Sequence, residues 1–369
     1  MANIILLLPL LLLLPLLPPP GDSGPAWQRS FFFDKARSDF NIADIACPSQ
    51  RLCLAAGTVE GDDGGRRPWS VITRDGGEHW ASGRPSEYPV SLFFLNDTTG
   101  WMVTGRGIWN TRDAGETWKK IRSGLGYLRV FFADPLHGWL VGRRRVFEQT
   151  SDGGSRWVGV PDAAKLAALP ADITFEYVNF SDPLHGTVVG EVAGPSDRSP
   201  PAWMDPEGAH YRPPPGGGVF GGRTVDGGRT WILDAVGIHQ SLLAVAFPAA
   251  DRAWLALAPI SPTQVYAEVT ERNWSAGKST PVYRLDGARI SDLDTGPNGS
   301  LVLAAVQAPG KLADTPVPGK VRIFTGNDFS TLREETVDYR AVARRIMLAS
   351  AGSEWFAATD TGTILHRKR

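Results

Sequence analysis

One pattern, Thr-x-Asp-(Gly/Ala)-Gly-x-x-Trp, occurs four times in this chain, starting at Thr73, Thr111, Thr150 and Thr224. Each residue type in it suits the turn of a strand hairpin: Asp oxygens accept bonds from turn amides, glycine supplies the positive φ of a tight turn, and Trp opens the outgoing strand. A repeated hairpin constrains the fold more than length does, because units that cannot bury a face alone must stack against copies of themselves. Asp75 and Asp113 are 38 residues apart and Asp113 and Asp152 are 39 apart, room for four short strands, whereas Asp152 and Asp226 are 74 apart. The longer interval holds one Phe180-Ser181-Asp182-Pro183-Leu184-His185-Gly186 segment and a Pro/Gly-rich run over 193–219, which reads as one unit carrying an insertion.

A second layout accompanies the first. Phe94 precedes Gly100-Trp101, Phe132 precedes Gly138-Trp139, Phe180 precedes Gly186, and Phe247 precedes Ala253-Trp254. In each, an apolar strand ends at Phe, a turn of Asp, Pro or Gly follows, and the next strand opens with an apolar residue. Two more units have lost the turn pattern. One covers 240–287, with Val282-Tyr283-Arg284-Leu285-Asp286-Gly287 as a degenerate third strand and turn, and the other covers 289–335, with Phe324-Thr325-Gly326-Asn327-Asp328. Units then begin near Phe40, Val90, Tyr127, Thr174, Leu242, Ile290 and Val342, which makes seven.

The repeated turn resembles the Asp-box, or BNR, repeat of sialidases, sortilin-type receptors and the photosystem II assembly factors of cyanobacteria and plastids, all β-propellers. Seven units and the Gly-Trp-x-x-Gly signature bring the chain closest in layout to the photosystem II assembly-factor type. That resemblance implies an all-β, seven-bladed propeller over residues 25–369 as a single domain, and a non-catalytic scaffold role. It also implies ring closure by an N-terminal strand. Ala26-Trp27-Gln28-Arg29-Ser30 has the look of a strand following a box, yet no box precedes it; Glu354–Thr359 and Gly362–His366 match the second and third strands of an unfinished last blade.

Composition adds bounds. Lys and Arg total 38 against 39 Asp and Glu, so no global charge draws the chain to nucleic acid or an anionic membrane, and a charged partner must be met by a local patch. Residues 1–24 are a leucine-rich run followed by Pro18-Pro19-Pro20 and small polar residues, read as a signal peptide or an N-terminal anchor; the run lacks an initial Lys or Arg, and Pro9 and Pro15 interrupt it. The expected location is therefore periplasmic or extracellular, with membrane contact only through an uncleaved leader, and a monomer is expected. The two cysteines, Cys47 and Cys53, flank a hairpin turn; either they form a cross-strand disulfide or they are two small buried residues of a reduced protein.

Catalysis is weighed against structure at each candidate. Asp75, Asp113, Asp152 and Asp226 repeat around a ring, whereas an active site needs one constellation, so they read as turn anchors; Trp80, Trp118, Trp157 and Trp231 read as packing between blades. A sialidase would need an Arg-Ile-Pro motif, which is absent, and none of Tyr88, Tyr127, Tyr177, Tyr211, Tyr266, Tyr283 and Tyr339 stands apart as a nucleophile. The alternative of a secreted glycoside hydrolase or glycan-binding propeller stays open, because facing carboxylates from different blades leave no local pattern. Gly216-Gly217-Gly218-Val219-Phe220-Gly221 follows three prolines rather than a strand and reads as insertion, not a dinucleotide loop. No cofactor or metal site is expected: the histidines form no metal-spaced pair, and His137 and His185 recur as turn residues.

The feature that stands outside the repeat is the placement of arginine. Strands alternate in direction, so the turn between second and third strands lies opposite the repeated turn. Three successive blades place Arg66, Arg67, Arg106, Arg143, Arg144 and Arg145 there, with Lys311 and Lys320 at the corresponding turn of a later blade. Solvated turn arginines and a partner-binding face for protein or glycan are both consistent with that placement.

Overall fold

The computed structural model describes residues 26–160, 169–192, 217–259, 265–297, 299–307 and 318–368. The leader, most of the Pro/Gly-rich insertion, Tyr211, Gly216 and Lys311 lie outside them. The described residues form a seven-bladed β-propeller, with seven antiparallel sheets each numbered outward from an innermost strand. The blades run from Ser38–Ala46 to Ala81–Gly83, Pro89–Phe94 to Lys119–Ser123, Tyr127–Phe132 to Val158–Gly159, Thr174–Phe180 to Ile232–Ala235, Leu242–Ala249 to Lys278–Asp286, Ala288–Thr295 to Arg333–Glu335, and Ile346–Ala351 to Gln28–Phe32.

The last of these closes the ring. Gln28–Phe32 pairs antiparallel with Thr363–Arg367 as the outermost strand of the seventh blade. Just ahead of it Trp27 is fully buried, and its indole N–H donates to Glu335 Oε2 at 2.8 Å. The same carboxylate accepts two bonds from the Arg367 guanidinium, each 2.7 Å, and one from the Thr325 hydroxyl at 2.7 Å. Closure therefore joins the N-terminal segment, the sixth blade and the C-terminal strand through one carboxylate.

Two expected boundaries shift. Val342–Ala343 does not open the seventh blade; it adds a fifth strand to the sixth by pairing with Gly319–Gly326. In the fifth blade the third strand is Tyr266–Asn273, and the stretch containing Val282-Tyr283-Arg284-Leu285 is the outermost strand, Lys278–Asp286.

The four repeated turns share one geometry. The Thr hydroxyl donates to the Asp Oδ1, at 2.7 to 2.8 Å, and accepts from the second glycine amide two residues past the Asp, at 2.8 to 3.0 Å. The Asp Oδ1 also accepts from the amide four residues on, at 2.8 to 2.9 Å. The first glycine position donates its amide to the turn between first and second strands of the same blade: Gly76 to Arg51, Ala114 to Thr98, Gly153 to Leu136 and Gly227 to Leu184. Both turns thus emerge on one face, and the second-to-third-strand turns emerge on the other.

The second glycine has two reasons to be glycine. Its φ lies between 82° and 88° in all four copies, and a Cβ there would meet the preceding blade: Ser30 and Phe356 at Gly77, Leu54 at Gly115, Ile121 at Gly154, Trp139 at Gly228. The Trp that follows lies at the same seam. Trp80 sits 5.8 Å from Phe31, Trp118 shares a cluster with Leu54 and Ala56, and Trp157 and Trp231 join clusters with Trp101 and Trp139 of the preceding blades.

Two stability measurements follow. Trp27→Ala should cost about 3 to 5 kcal/mol in urea unfolding, as for other fully buried large aromatics. Ala114 alone among the first glycine positions is not glycine, at φ 60°. Ala114→Gly should relieve about 1 to 2 kcal/mol of left-handed strain, less the entropy glycine loses on folding, for a net gain of up to about 1 kcal/mol; a lowered midpoint would refute this account.

Candidate functional site

Two regions gather polar groups outside the repeated turns: a rim on the face opposite them, and the channel along the ring axis.

The rim is built from the second-to-third-strand turns and the connections between blades, tied to one another by backbone and side-chain hydrogen bonds. The Tyr88 hydroxyl donates to Arg66 O at 2.8 Å, Gly105 N to Tyr88 O, Gly124 N to Arg106 O, Arg143 N to Gly126 O, and Arg145 N to Ile173 O. Arg66, Arg67, Arg106, Arg143 and Arg144 are thereby brought onto one continuous arc across three blades. Arg66 lies 3.6 Å from Glu60, while the side chains of Arg67, Arg106 and Arg144 have no hydrogen-bond or ion-pair partner among the described residues. Arg145 differs: its Nε donates to Pro170 O at 2.9 Å and holds the entry to the fourth blade. Exposed apolar groups intersperse the arc, with Leu125 at 76% and Tyr88 at 46% exposure, and Tyr339 at 87% stands on the connection between the sixth and seventh blades.

The turn Arg143 to Val146 is unusual. Gly142 N donates to Val146 O and Val146 N to Arg143 O, and the two central residues, Arg144 and Arg145, lie at φ 55° and 63°. Turns with both central residues at positive φ favour Asn-Gly. Two arginines there carry roughly 1 to 2 kcal/mol of strain each.

The channel encloses a cavity of about 880 Å³ walled by the innermost strands. An innermost strand is a sheet edge, so its outward amides lack ladder partners. In six blades the strand shifts register by one residue, between Ile42 and Asp44, Pro89 and Ser91, Tyr127 and Arg129, Phe175 and Tyr177, Leu242 and Ala244, and Ile290 and Asp292. These bulges turn side chains toward the neighbouring blade's free groups. Asp44 accepts from Leu92 N at 2.8 Å and Asp292 from Leu348 N at 2.8 Å. Ser91 donates to Leu128 O, Arg129 Nε to Glu176 O, and Glu191 accepts from Leu242 N.

The channel acids are driven toward neutrality. Burial raises Asp44, Asp292 to about 7, Asp294 to about 6, and Glu176 to about 7, where the Glu191 charge adds to it. Burial works against the Arg129 charge, but Asp44, Tyr177, Asp292 and Glu176 around it outweigh that and raise its pKa. Tyr177 is also raised, by burial, with its ring 4.9 Å from Arg129. Sequence reasoning singled out none of these residues, because each bond joins different blades. The repeated-turn acids behave oppositely: the Thr117 hydroxyl and amide, with the Thr111 hydroxyl, hold Asp113 at about 2, an ionised acceptor with no proton to give. His137 and His185 cap turns, each ring 2.8 Å from its Asp134 or Asp182 carboxylate. Cys47 and Cys53 form a disulfide across the first-blade turn on the repeated-turn face.

No protein-family model and no curated protein matches the chain. Solved structures do. YCF48 bound to D1 peptide superposes with a TM-score of 0.59 at 13% identity over 92% of this chain and 99% of that one. YCF48 from Cyanidioschyzon merolae gives 0.59 at 17% over 92% and 98%. A GH74 xyloglucanase from Xanthomonas campestris gives 0.56 at 12% over 93% of this chain and 53% of its own. At such identities these likenesses concern the fold alone, which supports a peptide binder and a glycosidase equally well.

Glu176 offers a test of the channel electrostatics. A carboxyl raised in the folded state stabilises fully below its unfolded pKa of about 4.3, and that contribution is lost as pH rises through about 7. Glu176→Gln, which removes no hydrogen bond donated to the carboxylate, should gain on wild type by on the order of 1 kcal/mol between about pH 4 and pH 8, allowing for channel solvent. Urea unfolding at the two pH values measures it; parallel behaviour would contradict the shift.

Proposed function

We propose that the protein is an exported, non-catalytic Asp-box propeller that docks a protein partner on its arginine rim, a scaffold of the photosystem II assembly-factor type. The observation that carries this reading is the rim itself. Five arginines share one hydrogen-bonded arc, three of them with free guanidiniums, and two adjacent arginines occupy turn positions where Asn-Gly would cost less. Arginine forks interspersed with exposed Leu and Tyr match the composition of protein-binding surfaces and suit carboxylates or phosphates on a partner. The leader-like N-terminus and the disulfide support export.

A glycoside hydrolase is the second reading, favoured by the channel carboxyls raised to about 6 to 7, a range suited to a general acid. Against it, both Asp292 oxygens accept backbone amides and serve the architecture.

Replacing Arg66, Arg67, Arg106, Arg143 and Arg144 together with Ser should leave the thermal transition within a few degrees, since exposed substitutions usually cost within about 0.5 kcal/mol each. Capture of the partner from the native envelope fraction, quantified by mass spectrometry, should fall, with the loss greatest at low salt. Undiminished capture by the variant would reject the rim, and turnover on a fluorogenic glycoside panel would reject the scaffold reading.

A further inference from the structure

The channel is not uniform along its length. Each innermost strand ends in the turn bonded to a repeated-turn glycine or occupies the equivalent position, so all run from the arginine face to the opposite one. Because six strands bulge at equivalent positions, the residues two beyond each bulge partner fall on one level: Ala46, Phe93, Phe131, Asn179, Ala246 and Asp294. Five of the six are uncharged. Phe93 and Phe131 meet with ring centroids 5.1 Å apart, and both line the cavity, as does Phe247. Asp294 is the one ionisable group on this level. Its Oδ1 accepts from Thr295 N at 2.7 Å, and its Oδ2 has no hydrogen-bond donor among the described residues.

The charges nearest Asp294 lie one level deeper. Asp292, on the same strand, accepts from Leu293 N and Leu348 N through its two oxygens. Arg129 makes its hydrogen bond elsewhere, with Nε on Glu176 O and the guanidinium over Tyr177, but its charge reaches Asp294 and partly offsets the effect of burial there. Arg143, in the turn after the second strand of the third blade, and Arg345, just ahead of the first strand of the seventh, line the same cavity nearer the arginine face, and Arg345 is bonded to Ala43 O. The far mouth therefore presents a carboxylate with a free oxygen, phenylalanine faces, and no guanidinium on its level.

We infer that this mouth of the channel is a binding site for an amphipathic organic cation, an ammonium or amidinium carried on an apolar body. Asp294 supplies the counter-charge from the sixth blade, Phe93 and Phe131 line the same cavity from the second and third and supply apolar rings for the body of the ligand, and the cavity is of a size that encloses a small ligand or an inserted side chain. The inference goes beyond the rim reading and does not depend on it, since it concerns the other end of the ring. Bringing a cation to Asp294 favours its ionised form, so binding tightens as pH rises through about 6.

Benzamidine is the probe, titrated into the full-length protein by isothermal calorimetry, with benzoate and benzyl alcohol as controls. Wild type should bind benzamidine at about pH 8 and roughly tenfold more weakly at about pH 5, and neither control should match it. Asp294→Asn keeps an acceptor for Thr295 N and should weaken binding by roughly tenfold or more at the higher pH. Phe131→Leu, which keeps the carboxylate, should weaken it by a few-fold, so a folding failure in one variant leaves the other as a test. Acetyl-Phe-Arg-amide binding more tightly than benzamidine would assign the cation to a polypeptide, and the reverse order to a free amine; both support the site. Equal affinity in wild type and Asp294→Asn, benzoate binding as tightly as benzamidine, or no benzamidine binding would overturn it.

Discussion

Two neighbouring seams between blades are held by a stack of three groups: a glycine, a phenylalanine and the tryptophan of the preceding blade. Phe132 lies over Gly138 of its own sheet, where a Cβ would approach the ring to 2.6 Å, and its other face stacks on Trp101 at 3.7 Å and 9°. Phe180 repeats this with Gly186 and Trp139, at 3.6 Å and 21°. The tryptophans of the repeated turns close the side of each stack edge-on, Trp157 against Phe132 and Trp231 against Phe180. Such pairs add to the area they bury and fix the angle between sheets. At the next seam Thr187 stands where Trp101 and Trp139 stand, and its hydroxyl donates to Ala250 O instead.

With the seams fixed by aromatic packing, the inner edges of seven sheets face one another across a channel too wide to pair. Their free amides are met by side chains from the bulged positions, which is why the channel is polar and why its acids are hard to ionise. The two candidate regions therefore have different origins. The channel groups answer the backbone's need for partners, while the rim arginines answer no such need and carry turn strain of their own.

Much of this was legible in the chain, and for a physical reason: an identical turn solves an identical problem in each blade, so the residues recur. The blade count followed from spacing, the closing strand from a Trp-bearing segment with no turn before it and an unfinished last blade, and the face bearing the arginines from the alternation of strand direction. Where the repeat had eroded, the reading slipped. In the fifth blade Val282-Tyr283-Arg284-Leu285 reads as the third strand, but the turn lies earlier, at Asn273-Trp274-Ser275-Ala276-Gly277, with Asn273 Oδ1 accepting Ala276 N. The channel was invisible because Asp44 and Leu92 meet only when neighbouring blades pack, and Arg345 and Ala43 only once the ring closes. Likewise nothing local distinguished Arg145, bound to Pro170, from Arg144 beside it.

Closure by Gln28–Phe32 also bears on how the ring folds. Its partner strand, Thr363–Arg367, is separated from it in sequence by six other blades, so this is the pairing of longest range among the described residues. Until it forms, Glu335 lacks the Arg367 guanidinium, and the seventh sheet has an open edge. Long-range pairing of this kind is slow and leaves apolar edges exposed in the interval. Before that pairing the folding chain is an open arc, and its vulnerability to edge-to-edge association ends when this one pair of strands meets.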